Sequence, residues 1–156
     1  MKIHLLTIGQ SMPSWIEQGY AEYAKRLPAE CALQLIELPA SKRYKNHPIE
    51  KIQAEEATRL LSAVPKNGHI IALDERGALW NTQQLAQKLT QWQQDGDDIA
   101  LLVGGPDGLT AECKQKAKDL WSLSPLTLPH GLVRILIAEQ IYRAWSIQQR
   151  HPYHRV

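Results

Sequence analysis

Ile99-Ala100-Leu101-Leu102-Val103-Gly104-Gly105-Pro106-Asp107-Gly108 is the stretch that decides the fold. Five consecutive apolar residues describe a buried strand, and the glycines and proline that follow stop it in a tight turn. Glycine has no side chain and accepts positive φ, so a ligand can approach bare backbone at such a turn. Further on, Leu123-Ser124-Pro125-Leu126-Thr127-Leu128-Pro129-His130 is apolar yet punctuated by prolines. That combination predicts a fixed loop with a greasy wall. Two such loops brought together make a pocket rich in backbone donors and acceptors.

Outward from this stretch the chain alternates strand and helix. Ile3–Gly9, Ala32–Pro39, Gly68–Asp74, Asp98–Val103 and Leu120–Ser124 read as strands. Helices are expected from Ser14 to about Arg26, with Ser14 as cap and Trp15, Ile16, Tyr20 and Tyr23 at helical spacing, and over Pro48–Ala63 with proline in the first turn. Further helices are expected over Thr82–Gln94, Thr110–Lys118 and Gly131–Gln149. Five strands joined by helical crossovers imply an α/β fold: one domain over residues 1–156, a parallel sheet with helices on both faces. Ligands of such sheets sit beyond the carboxyl ends of the strands, here Leu73-Asp74-Glu75, Val103-Gly104-Gly105 and Leu123-Ser124-Pro125.

Composition narrows the function class. With 156 residues, 44% of them apolar, the chain has the size of one domain with a proper core, and no run approaches the ~20 apolar residues of a membrane span. The start reads as a strand without a cleavage site, which predicts a cytoplasmic protein and no membrane partner. Cys31 and Cys113 lie far apart without CxxC spacing, so both are expected to be packing or surface residues. The net charge of +2 decides nothing by itself, but it is unevenly spread. Lys42-Arg43-Tyr44-Lys45-Asn46-His47 is one basic loop, and Arg143, Arg150, His151, His154 and Arg155 form a basic C-terminal group. The plain reading of each is a solvated surface. Lys114, Lys116 and Lys118 scatter over a helix and are given no role.

The glycine turn matches neither GxGxxG nor GxxxxGK[ST], and Asp107 sits where a phosphate would want a lysine. A pocket there suits an uncharged or cationic ligand. The last helix carries Leu132, Val133, Ile135, Leu136, Ile137, Ile141, Tyr142, Ala144, Trp145 and Ile147, so it is apolar nearly all round. A second copy of the chain is a natural cover, which predicts a homodimer.

These residues carry a resemblance. Leu101 to Leu109, Leu123 to His130, Val133-Arg134, Glu139-Gln140, Tyr142-Arg143-Ala144 and His151-Pro152-Tyr153-His154 look like the bacterial large-subunit rRNA pseudouridine N3-methyltransferases of the SPOUT superfamily. Gly9, Glu22-Tyr23, Pro39-Ala40 with Lys42-Arg43, and Leu73-Asp74 extend the likeness over the whole chain. The resemblance implies a C-terminal trefoil knot and a homodimer whose interface completes the site. It also implies S-adenosyl-L-methionine as methyl donor, held by Leu73, Gly104, Gly105, Leu123, Ser124, Pro125, Leu126, Thr127 and Leu128. This donor carries a sulfonium and an adenine but no phosphate, in keeping with the missing phosphate loop.

The implied reaction moves a methyl cation from sulfur to N3 of a pseudouridine in 23S rRNA on the assembled ribosome, without a metal. N3 must lose a proton, and histidine suits its removal at neutral pH. His154 is the first candidate base and His130 the second, although His130 can equally be a helix-start residue bonded to backbone. Arg134, one turn beyond His130, is a candidate to hold a phosphate or a developing oxyanion. Lys42, Arg43, Arg143, Tyr153 and Arg155 are the expected RNA contacts, with Tyr153 stacking on a base. Glu139 pairs with Arg143 at i, i+4 on the plain reading. Two further readings stand beside this one: a different SPOUT enzyme acting on tRNA or a ribose hydroxyl, and a non-catalytic RNA-binding assembly factor.

Overall fold

A computed structural model of the chain describes residues 1–9, 11–43 and 45–155, without the side chains of His154 and Arg155. The elements are β1 (Ile3–Ile8), α1 (Ser14–Ala24), β2 (Leu33–Leu38), α2 (Ile49–Ser62), β3 (His69–Leu79), α3 (Thr82–Asp95), β4 (Ile99–Val103), α4 (Ala111–Lys116), β5 (Asp119–Ser122) and α5 (His130–Gln148). Short 3₁₀ turns cover Ala29–Cys31 and Pro152–Arg155. The strands form one parallel sheet in the order β2-β1-β4-β3-β5, as the strand–helix alternation requires.

Side chains of each strand alternate between two cores. Ile3, Leu5, Ile71, Ile99 and Leu101 meet Leu85, Leu89 and Trp92 of α3 and Ile137 and Ile141 of α5. Leu6, Ile8, Ala72, Ala100 and Leu102 meet Ala57 and Leu60 of α2 and Leu109 and Cys113 at α4. All five residues of β4 are buried because both faces of the central strand are covered. Both cysteines are buried and free. No helix among the described residues is long and apolar enough to cross a membrane.

Two departures from expectation matter for the site. β3 runs five residues past its expected end, and its register to β5 shifts between Leu73 and Ala78. The polar run Asp74-Glu75-Arg76 hides this extension in the sequence. Gly77 permits it, since a Cβ there would lie 2.5 Å from the Leu120 carbonyl carbon. At α1, Pro13 rather than Ser14 takes the cap position, and Trp15 is 58% exposed.

The last helix is covered largely from within the chain. α1 and α5 lie side by side in the same direction, Ile16 against Gly131 and Gly19 against Ile135, while α3 closes another flank. Leu132 and Leu136 of α5 remain exposed.

Candidate functional site

Beyond the carboxyl ends of β3, β4 and β5 lies a cavity of about 570 Å³, within the ~300–1,000 Å³ range of small-molecule pockets. The strands supply Leu73, where the β3 register shifts, Val103 and Trp121, the β4–α4 turn supplies Gly104 to Leu109, and the β5–α5 segment supplies Leu123, Ser124, Leu126, Thr127 and Leu128. Eight of the nine expected donor-binding residues therefore share one wall system; Pro125 lies outside the lining.

Local chemistry holds both loops in shape. In the glycine turn, the Gly108 N–H donates to the Gly105 carbonyl at 2.9 Å. A Cβ on Gly104 would fall 2.7 Å from the Gly108 carbonyl carbon, a backbone collision that leaves no room for any other residue. The Thr110 hydroxyl caps α4 by accepting from the Cys113 N–H at 3.2 Å. In the second loop the Ser124 hydroxyl accepts from the Leu126 N–H at 2.9 Å, and the Ser122 hydroxyl donates to the Ser124 carbonyl at 3.0 Å.

The rim is charged. Asp74, Glu75 and Asp107 face Arg76 and Lys114 around the opening. Lys114, given no role from its helical spacing, pairs with Asp74 at 2.8 Å. That pair, with the Arg76 N–H next in importance, holds the Asp74 carboxyl below its usual range. The Thr127 hydroxyl donates to Glu75 at 3.3 Å, joining the extended part of β3 to the apolar loop. Arg76, Lys114, Gln53 and Trp121 had no signal in the sequence; their place depends on how β3 and α4 are packed. With Asp74 paired to Lys114 and Asp107 to Arg43, Glu75 and Arg76 stand outside those pairs, and beside apolar walls they suit a zwitterionic small molecule.

His130 starts α5 beside the glycine turn. Burial, and then the nearby Arg134 charge, lower its pKa, while a hydrogen bond to the Gly104 backbone pulls the other way. Its Nε2 is buried without a partner among the described residues. Arg134 is 1% exposed; it donates to Glu37 at 2.7 Å and to the Gly9 carbonyl at 3.1 Å, tying α5 to the ends of β1 and β2. Two of its donors are thus committed inside this protomer, and it stands outside the cavity lining.

The remaining expected residues sit elsewhere. Lys42 and Arg43 are exposed, and Arg43 bonds to Asp107 on the cavity rim. Arg143 meets Glu139 at 2.6 Å, as the i, i+4 spacing predicts, and the Tyr153 hydroxyl donates to the same oxygen at 3.0 Å. Burial, then that carboxylate, pushes the Tyr153 phenol up to about 12. Tyr153 also tilts against Tyr142 and lies under Arg143 at 4.8 Å, with Arg26 completing the cluster. The His154 and Arg155 side chains lie outside the described residues. Glu139 and Arg143 follow His130 by nine and thirteen residues, about 14 and 20 Å along α5, so this cluster stands toward the opposite edge of the sheet from the cavity.

Residues 1–154 match the family model described as predicted SPOUT methyltransferase. The chain is 54% identical over 155 residues to the ribosomal RNA large subunit methyltransferase H of Thioalkalivibrio sulfidiphilus, covering 99% of both chains. It is 56% identical to the protein of that name from Hydrogenovibrio crunogenus, again over 99% of each. Among solved structures it resembles a probable methylase family protein from Haemophilus influenzae Rd KW20 with TM-score 0.58 and 18% identity, covering 97% of this chain and 69% of that one. TrmJ from Z. mobilis ZM4 gives TM-score 0.53 at 18% identity, covering 97% and 70%. At that identity the structural likeness speaks for the fold alone.

Proposed function

The chain belongs to the SPOUT methyltransferase family, and we propose that it methylates N3 of a pseudouridine in large-subunit rRNA, using S-adenosyl-L-methionine, on the assembled ribosome. The observation that carries this reading is the cavity in which Gly104-Gly105 and Leu123–Leu128 meet. Its residues fit the donor: leucines for an adenine face, bare glycine backbone for polar edges, Glu75 for the cationic groups and Arg76 for a carboxylate. Pro125 shapes the turn of the same loop. When bound, adenosylmethionine supplies a methyl group made electrophilic by its sulfonium. The trefoil knot implied by the family would bring the 123–129 segment under the β4–α4 turn.

The acceptor must reach this cavity and lose its N3 proton. Burial and then Arg134 lower the His130 pKa and so favour the neutral imidazole, the form a base requires. His154 remains the candidate on the tail. On this reading a protomer does not deliver its own tail, because Glu139 and Arg143, which hold Tyr153, lie about 14–20 Å along α5 from His130. The reading therefore includes a homodimer in the cytoplasm, one copy presenting Arg143, Tyr153, His154 and Arg155 to the cavity of the other. Leu132, Leu136 and Trp15 are exposed apolar residues on the two helices such a contact would use. Lys42 and Lys45 of the basic loop are proposed to meet rRNA phosphates, while Arg134 braces α5 in each copy.

The test is methyl transfer from labelled adenosylmethionine to ribosomes with and without the target pseudouridine, followed by mapping of the modified nucleotide. Labelling confined to pseudouridine-containing ribosomes is expected. Equal labelling of both would move the target to another nucleotide, and none in either would leave an RNA-binding factor.

A further inference from the structure

The glycine turn that borders the cavity is gripped at a single residue, by one side chain outside the lining and one within it. Arg43 donates through Nη2 to Asp107 Oδ2 at 2.5 Å, and Gln53 of α2 donates through Nε2 to the Asp107 carbonyl at 2.6 Å. Side chain and backbone of Asp107 are therefore held by two different segments, the basic loop and α2. The Asp107 side chain is only 19% exposed, so its carboxylate is not simply solvated. The turn it belongs to contains Gly104, Gly105 and Gly108, and glycines lose more backbone freedom on ordering than any other residue. A site whose backbone must stay in place gains affinity when that ordering is completed before the ligand arrives.

We infer that Arg43 and Gln53 are positioning residues for the methyl-donor cavity, and that Arg43, though part of the basic loop, serves the turn rather than an RNA phosphate. Charge-assisted bonds of this length are among the stronger ones. Lys42 makes no such bond among the described residues and keeps its charge for a polyanion. The inference rests on the reading that this cavity takes adenosylmethionine.

The experiment is calorimetric titration of the full-length protein with S-adenosylhomocysteine, the inert product, paired with the salt dependence of ribosome binding. Arg43→Gln and Asp107→Asn are each expected to weaken the small molecule about three- to fivefold, and Gln53→Ala up to about tenfold. The Arg43→Gln/Asp107→Asn pair is expected to be no weaker than its worse single variant, because one bond is lost in each case. Arg43→Lys should recover part of the loss. Lys42→Ala should leave the small-molecule affinity unchanged and reduce the salt slope by about one contact, whereas Arg43→Gln should leave the slope alone. Unchanged affinity with a flatter slope for Arg43→Gln would overturn the inference while leaving the proposed function standing. A wild-type protein that binds no S-adenosylhomocysteine would remove the premise as well.

Discussion

The two edges of the sheet are built on opposite plans. At the carboxyl edge, backbone and apolar loop residues surround open space, and the charges stand around its rim. At the amino edge, Tyr142, Tyr153, Arg26, Arg143 and Glu139 fill their own volume, and both oxygens of Glu139 are occupied, by Arg143 and Tyr153 on one and Gln140 on the other. One edge is shaped to receive a molecule and the other is a finished network that presents a surface. About 14–20 Å of α5 lies between them in one chain, and the proposed dimer is what would bring the two together.

The most severe way to break the receiving edge is Gly104→Ala. Its Cβ would collide with backbone that cannot yield cheaply, and S-adenosylhomocysteine binding should fall by about two orders of magnitude, a steric cost of ~3 kcal/mol. Calorimetry would show it, and a Kd within threefold of wild type would mean that the turn is not the ligand's wall. The separation of the edges is sharpened by mixing that variant with a chain lacking His151–Val156. Each alone should be inactive, while a mixture should recover up to about a quarter of wild-type turnover, since random pairing of equal amounts makes half the molecules heterodimers with one intact site. A mixture as inactive as its parts would refute tail exchange.

Glu139→Gln strikes the presenting edge. Loss of the carboxylate shared by Arg143 and Tyr153 should cost about 1–3 kcal/mol in urea unfolding and lower the methylation rate, with the small-molecule Kd unchanged. A changed Kd would show that the edges communicate within one protomer. A smaller effect follows from His130 and from His69, where burial again is the chief cause of a lowered pKa. The folded state binds fewer protons than the unfolded one, so this stability is complete above ~6.5 and is lost as pH falls through the lower folded values. Urea midpoints should drop between pH 7 and pH 5, and His130→Gln should flatten that drop. A slope of the opposite sign would mean that His130 is charged in the fold.

Much of this was legible in order along the chain. The parallel sheet followed from alternation, because strand and helix periods differ and a buried strand leaves a continuous apolar run such as Ile99–Val103. The two loops that line the cavity were legible because glycine and proline mark turns by their own backbone limits. Asp74 and Glu75 were expected as a strand end, whereas β3 continues through them to Leu79. Gln53, Arg76 and Lys114 were not, since each is an ordinary polar residue until α2, the bulged end of β3 and α4 converge on one opening. Arg134, one turn from His130, was a candidate to hold a phosphate or a developing oxyanion, and only packing shows two of its donors committed to Glu37 and Gly9.

The sequence by itself therefore determined what depends on neighbours along the chain: strands, helices, the glycine turn, the proline-bounded loop, and the Glu139–Arg143 pair one helical turn apart. Only the tertiary structure decided which charges are spent and which are available, because an ion pair such as Arg43–Asp107 or Lys114–Asp74 joins residues that the chain itself keeps far apart. It also decided that the cavity and the tail lie at opposite edges. That fact comes from the direction in which α5 runs back along the sheet, and no local pattern of residues carries it.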